Sequence, residues 1–129
     1  MKKRVVIFGI FDGVHDGHQS LFSQAKEYGD ELVVIVGRDS ASLRLKGKKP
    51  KHPEETRRDL VSKEELVDEA VLGDEKQSSY KMLENLQPDV ICFGYDQDKL
   101  ELDLKKWMEE RKRIIPLYRI VRHPMSHTV

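Results

Sequence analysis

"FGIFDGVHDGH", Phe8 to His18, is the stretch on which the reading of this chain turns. An apolar run, "RVVIFG" (Arg4 to Gly9), leads into it, and "HQSLFSQAKEYG" (His18 to Gly29) leads out. The first is rich in Val and Ile without alternation, the pattern of a strand covered on both faces by helices. In the second, Leu21, Phe22, Ala25 and Tyr28 share one helical face, and Gly29 supplies a C-terminal stop. "ELVVIVG" (Glu31 to Gly37) follows as another buried strand. Strand, helix and strand make a βαβ unit with a right-handed crossover. The quoted stretch is its first turn.

That turn holds Gly9, Gly13 and Gly17, which let the backbone bend tightly and come close to a ligand. His18 and Gln19 begin the helix, with Asp16 a candidate N-cap. A helix N-terminus offers N–H groups and a positive dipole end, so it is a ready anion site. His15 and His18, spaced by three around the helix start, can both point at that anion, and nearby negative charge favours the imidazolium. The stretch fits neither G-x-x-x-x-G-K-S/T nor G-x-G-x-x-G. A phosphate cradle with two imidazoles is the reading these features favour. Two others stay open at this level. The imidazoles could cap the helix and satisfy turn carbonyls, or bind a metal with Asp12 or Asp16, for which His52 and His123 are the candidate completing ligands.

The rest of the chain alternates. In "RDSASLRLKGKKPKHPEETRRDL" (Arg38 to Leu60), Gly47, Pro50 and Pro53 lead to the expectation that the first part is a loop. Pro53, Glu54 and Glu55 open a helix expected to run to about Leu66. "DEAVLG" (Asp68 to Gly73) reads as a strand, and "EKQSSYKMLENLQP" (Glu75 to Pro88) as a helix stopped by Pro88. "DVICFG" (Asp89 to Gly94) is a further strand. "DQDKLELDLKKWMEERK" (Asp96 to Lys112) is an amphipathic helix with Leu100, Leu104, Trp107 and Met108 inward. "RIIPLYRIV" (Arg113 to Val121) is a last strand, placed at an edge or bulge by Pro116. This predicts a Rossmann-like, doubly wound α/β fold: one parallel five-stranded sheet of order 3-2-1-4-5, in a single domain spanning residues 1–129. Ligands of such sheets bind beyond the carboxyl ends of the strands. The Phe8–His18 turn, "GRDS" (Gly37 to Ser40) and "GYDQD" (Gly94 to Asp98) would meet at that rim.

Bulk composition narrows the function classes. With 23 Lys and Arg against 23 Asp and Glu, no net charge draws the chain to nucleic acid or anionic lipid. No apolar run approaches the ~20 residues of a spanning helix, and the apolar part of "MKKRVVIFG" is too short for a signal peptide. The single cysteine, Cys92, excludes an internal disulfide and a cysteine zinc cage, and reads as core. A cytoplasmic address is the simplest expectation. The basic cluster from Arg44 to Arg58 lacks the interleaved aromatics that a single-strand RNA reader uses for stacking.

"GIFDGVHDGH" resembles the signature of the cytidylyltransferase-like nucleotidyltransferase superfamily. Gly9-Ile10-Phe11-Asp12 stands at its G-x-F-D, where members often carry Thr in place of Ile10, and His15-Asp16-Gly17-His18 stands at its H-x-G-H. "GDELVVIVGRDS", "LKGKKP", "PEETRRDLV", "VDEAVLGD" and "QPDVICFGYDQ" resemble, in order, blocks of the small archaeal-type FAD synthetases and glycerol-3-phosphate cytidylyltransferases, from Lys3 to Gln97. The resemblance implies attack of an acceptor phosphate on the α-phosphate of a nucleoside triphosphate, with pyrophosphate leaving and Mg²⁺ bound with the nucleotide. It implies catalytic roles for His15, His18, Arg57 and Lys46, the last on a loop closing over the phosphates, with Lys48 and Lys49 as equivalent choices. Gly9, Ile10, Phe11, His15, His18, Gly94, Tyr95 and Asp96 would bind the nucleotide. So would Ser126 and Thr128, in the Met125-Ser126-His127-Thr128 run where the family has small hydroxyls. Asp12, Asp39 and Arg57 would face the acceptor. ATP with FMN is the first expectation, and CTP with glycerol 3-phosphate or a related polyol phosphate the second. A non-catalytic nucleotide-binding module is the third, motivated by Ile10 and the stop at Val129. No nucleic-acid or membrane partner is implied, and a homodimer is among the expected assemblies.

Overall fold

Val5, Val6 and Ile7 are all fully buried in the first strand, β1 (Arg4–Gly9). Successive strand residues point to opposite faces, so burial of three in a row requires cover on both sides. The computed structural model describes residues 2–14, 16–76, 79–94 and 97–120. In it, β1 lies at the centre of a five-stranded sheet of order β3-β2-β1-β4-β5. Its partners are β2 (Glu31–Val36), β3 (Glu69–Leu72), β4 (Val90–Phe93) and β5 (Leu117–Arg119). Every pairing is parallel; Ile7, for example, is in register with Val34 on one side and Cys92 on the other. The strand order is the one expected from the alternation of elements.

Two apolar layers cover the sheet. On one face Val5, Ile7, Leu32, Val34, Val90 and Cys92 meet Phe22 and Ala25 of α1 (Asp16–Lys26) and Val61 of α3 (Glu54–Ser62). On the other, Val6, Val33, Ile35, Ile91 and Phe93 meet Leu83 and Leu86 of α4 (Lys81–Leu86) and Leu104 and Trp107 of α5 (Asp98–Arg111). Leu21 and Tyr28, Leu100 and Met108 pack at the margins of these layers, as the helical spacing predicts. Cys92 is core, and burial pushes its thiol up to about 12. Among the described residues no helix is long and apolar enough to cross a membrane.

Three local expectations are corrected. The segment after β2 is not a loop throughout but holds a helix, α2 (Asp39–Lys46). The breakers that suggested a loop all lie after it. Gly47 takes the left-handed conformation at its end, and the Gly47 N–H closes on the Leu43 carbonyl. Helix α3 stops at Ser62 rather than near Leu66, because turns at Val61 and Glu64 swing Val67 down into the core. Helix α4 begins only at Lys81. Tyr80 before it is left-handed, and the Asp74 carboxylate takes the Met82 N–H at 3.2 Å. The short β5 is an edge strand, and the Pro116 carbonyl accepts the Ile91 N–H that fixes its register.

Because the strands are parallel, the turns after β1, β2 and β4 gather at one rim. Cross-links sew that rim together: Gly37 N–H to the Gly9 carbonyl at 2.8 Å, and Gly73 N–H to the Val36 carbonyl at 2.9 Å. The sheet order reverses between β1 and β4, which opens the crevice used by ligands in such folds. Truncating Leu104 to Ala, in the layer that holds the sole tryptophan, should cost about 3 kcal/mol through lost burial and a residual cavity. Urea unfolding followed by Trp107 fluorescence measures it, and a loss below ~1 kcal/mol would contradict the packing described.

Candidate active site

Phe11 sets the shape of the turn after β1. Its backbone is left-handed (φ 54°), uncommon outside glycine, and its side chain is buried. The ring packs on Phe22 at 5.6 Å between centroids and stands edge-on to the His18 ring at 4.9 Å. A Cβ on Gly9 would lie 2.5 Å from the Phe11 ring, so glycine is required there to let the phenyl fold back beside the strand end. The ring in turn backs the imidazole of His18, in the first turn of α1. A helix start directs its first N–H groups and the positive end of its dipole outward, so the imidazole and the dipole share one place. Ile10 lies over Gly37, where a Cβ would come within 2.6 Å of its Cδ1.

A basic loop is anchored to this turn. Lys46 ends α2, and Lys46, Lys48 and Lys49 are exposed. The loop is tied down along its length. Ser42, 2% exposed, donates its hydroxyl to the Lys48 carbonyl at 3.1 Å. Asp12 accepts the Lys51 N–H on Oδ2 at 2.7 Å and the His52 N–H on Oδ1 at 3.1 Å, and Oδ1 also meets His52 Nδ1 at 3.0 Å. The Lys51 N–H, followed by the His52 ring and N–H, holds the Asp12 carboxyl down to about 2. The sign follows: a depressed carboxyl stabilises the fold above its ordinary value of 3.8, and that contribution is lost as pH falls through about 2.

Arg57 of α3 lies beneath the rim with 0% of its surface exposed. Its Nε donates to the His52 carbonyl at 3.0 Å, and its Nη1 to the carbonyls of Ile10 at 2.8 Å and Gly37 at 2.6 Å. Its Nη2 pairs with Asp39 Oδ1 at 2.6 Å. One guanidinium therefore links the turns after β1 and β2, the start of α2 and the loop before α3. The resemblance implies an arginine reaching phosphate or acceptor; here the group is spent on backbone carbonyls and one carboxylate. Asp39 stays partly open to solvent at the rim. Both Asp12 oxygens accept hydrogen bonds from the loop before α3.

Sequence reasoning missed several supports. Glu54 was read only as a first-turn acid. It accepts the Asp39 N–H at 2.8 Å and pairs with Arg38 at 3.0 Å, while Arg38 Nε reaches the Gly73 carbonyl at 2.8 Å. Gln97 spans the switch point: its Nε2 donates to the Phe8 carbonyl at 3.2 Å, and its Oε1 accepts the Gly94 N–H at 2.6 Å. The structure thus brings Gly9, Ile10, Phe11, Asp12, His18, Asp39, Arg57 and Gly94 to one rim, with Lys46 to Lys49 on a loop anchored to it. His15, Tyr95, Asp96, His123, Ser126 and Thr128 lie outside the described residues. Among the described residues no group of three His, Cys, Asp or Glu side chains could hold a metal. The rim brings together a helix start, the His18 imidazole and an anchored loop that carries Lys46, Lys48 and Lys49.

The cytidylyltransferase-like family model matches residues 6–128. A protein of Pyrococcus horikoshii named FAD synthase is 42% identical over 105 residues, 81% of this chain and 71% of its own. One of the same name from Aciduliprofundum boonei is 47% identical over 111 residues, 85% of this chain and 71% of its own. A crystal structure described as the lipopolysaccharide core biosynthesis protein from Thermoplasma volcanium GSS1 superposes with a TM-score of 0.86 at 36% identity, covering 95% of this chain and 99% of that one.

Removing Asp39 leaves the buried Arg57 charge without its counter-ion, so Asp39→Ala should cost about 3 kcal/mol. Removing the charge as well, in Asp39→Ala/Arg57→Met, should cost less than the two single losses added together. A urea double-mutant cycle measures both; strict additivity would show that the pair is not coupled.

Proposed function

The chain belongs to the cytidylyltransferase-like family of nucleotidyltransferases, and we propose that it is an FMN adenylyltransferase, joining FMN and ATP into FAD with release of pyrophosphate. The observation that carries this reading is the rim itself. The start of α1, the His18 imidazole backed by Phe11, and the lysine loop pinned to the same turn place three anion-attracting features at one end of the sheet. The relatives named FAD synthase supply the identity of the two substrates.

The chemistry asks little covalent work of the protein. An oxygen of the FMN phosphate attacks the α-phosphorus of ATP. That P–O bond forms, the bond from the α-phosphorus to the bridging oxygen breaks, and the electron pair leaves with pyrophosphate. Rate then comes from holding the two phosphates in line and from stabilising charge that spreads over the α-phosphate oxygens. His18 and the dipole of α1 do this together with the cations of the loop. His15, in the same motif, is assigned the same task. Lys46, Lys48 and Lys49 grip the outer phosphates. Arg57 acts by fixing the turns that carry these groups. Asp39, open at the rim beside it, faces the acceptor side. The divalent ion of the reaction, Mg²⁺ in this reading, arrives on the triphosphate oxygens as part of the substrate.

Gly94, Tyr95 and Asp96, in the turn after β4, are assigned to the nucleoside, together with Ser126 and Thr128. Gln97 would keep the ends of β1 and β4 at the spacing the nucleoside needs.

Pyrophosphate release with ATP plus FMN, compared with CTP plus glycerol 3-phosphate, tests the assignment. Turnover is expected with the first pair; turnover with the second pair alone would make the chain a cytidylyltransferase. Release with neither, beside tight ATP binding, would make it a non-catalytic nucleotide binder. In the active pair, His18→Asn should lower kcat by about 100-fold, the usual loss for one donor to a developing oxyanion. An unchanged kcat would remove His18 from the mechanism.

A further inference from the structure

Asp12 lies between Phe11, whose ring backs His18, and Gly13, whose φ is +93°. It belongs to the turn that forms the anion site, yet its carboxylate faces the basic loop. We propose that Asp12 is a positioning residue that docks the lysine loop onto this turn, and that it does not bind the acceptor. The proposal rests on the phosphate reading of the rim.

The contacts argue for docking in three ways. First, they engage both oxygens of the carboxylate: Oδ2 takes the Lys51 N–H, and Oδ1 takes the His52 N–H and meets the His52 ring. Second, two of the three donors are backbone groups, so the bonds fix the path of the chain and not merely a side-chain rotamer. The next residue inward, Pro50, has its own φ locked, and Lys48 is held by Ser42. Only Lys49 and Pro50 separate the two anchors, a span of about 7 Å at full extension, so the cations of this segment cannot stray far from the turn. Arg57 takes the His52 carbonyl, so residue 52 is held by an acidic group at its N–H and a basic group at its carbonyl.

Third, electrostatics disfavour the alternative. An acceptor for nucleotidyl transfer brings a phosphate, and an ionised carboxylate aimed at it would repel it unless a cation offsets its charge, as Arg57 does for Asp39. Asp12 is held in its ionised form by the N–H groups it accepts, with its carboxyl near 2. Spent on those groups, its charge draws the lysines in and sets the distance between the loop and the α1 start. The triphosphate would then meet a preformed grip and need not order the loop itself.

The test uses the intact chain with two variants, Asp12→Asn and His52→Ala. An Asn amide at position 12 would turn an N–H toward one of the backbone donors, so the clasp opens without change in side-chain size. His52→Ala removes only the ring contact and keeps Asp12. Limited trypsinolysis, followed by mass spectrometry, reads cleavage after Lys46, Lys48 and Lys51. Cleavage should rise about tenfold in Asp12→Asn, and less in His52→Ala, on the scale of one or two lost hydrogen bonds to a charged group. The KM for ATP should rise by about the same factor while the KM for FMN stays within twofold.

A raised KM for FMN with ATP and trypsin behaviour unchanged would overturn the proposal and make Asp12 an acceptor ligand. Unchanged cleavage in both variants would overturn it equally. Should the unmodified chain fail to turn over ATP and FMN, the FAD reading falls separately. The trypsin rates and equilibrium ATP affinity of the variants would still decide the docking.

Discussion

Arg57 carries a positive charge with none of its surface exposed, and four hydrogen bonds make that burial tolerable. An unpaired buried charge would cost several kcal/mol, so the guanidinium dictates where its acceptors must be. Those acceptors come from segments far apart in sequence: the turn after β1, the turn after β2, the start of α2 and the loop before α3. Once they converge on one planar donor set, the rim has a defined shape. Arg38 and Glu54 brace the outside of the same corner. The rest of the site is hung from this frame.

The frame matters because the parts proposed to meet substrate are individually weak. A helix start attracts an anion by a modest amount, and exposed lysines are solvated and mobile as side chains. Their effect grows when they are held at one spacing, since preorganisation removes the cost of ordering them during the reaction. Phe11 achieves this for His18 through ring packing made possible by Gly9. Asp12 and Ser42 achieve it for the basic loop. Gln97 does so for the crevice between β1 and β4.

The sheet was legible in the sequence because burial on both faces leaves a direct mark: "RVVIFG", "ELVVIV" and "VICF" carry no polar residue after their first positions. The turn after β1 was legible because its glycines and histidines have no better use in a plain reversal. Helix α2 was not, since breakers just beyond it dominated the reading and its own residues have a weak apolar face. The resemblance gave Arg57 a place at the phosphates or the acceptor, and nothing local in "EETRRDL" marks it as buried. Its burial is a property of tertiary packing, with α3 set against β2 and β3, and no local pattern records it. The bracing contacts of Asp12 and Glu54 were not legible for the same reason: their partners lie 39 and 15 residues away.

In the proposed division of labour, the α1 start, His18 and the lysine loop grip the substrate phosphates while Arg57 stays beneath as a strut. A crystal structure with a non-hydrolysable ATP analogue tests that division most directly. The expected result is a triphosphate between the α1 start and the Lys46–Lys49 segment, with Arg57 still bonded to the carbonyls of Ile10, Gly37 and His52. Phosphates bound elsewhere, or Arg57 withdrawn from those carbonyls to bind them, would contradict it.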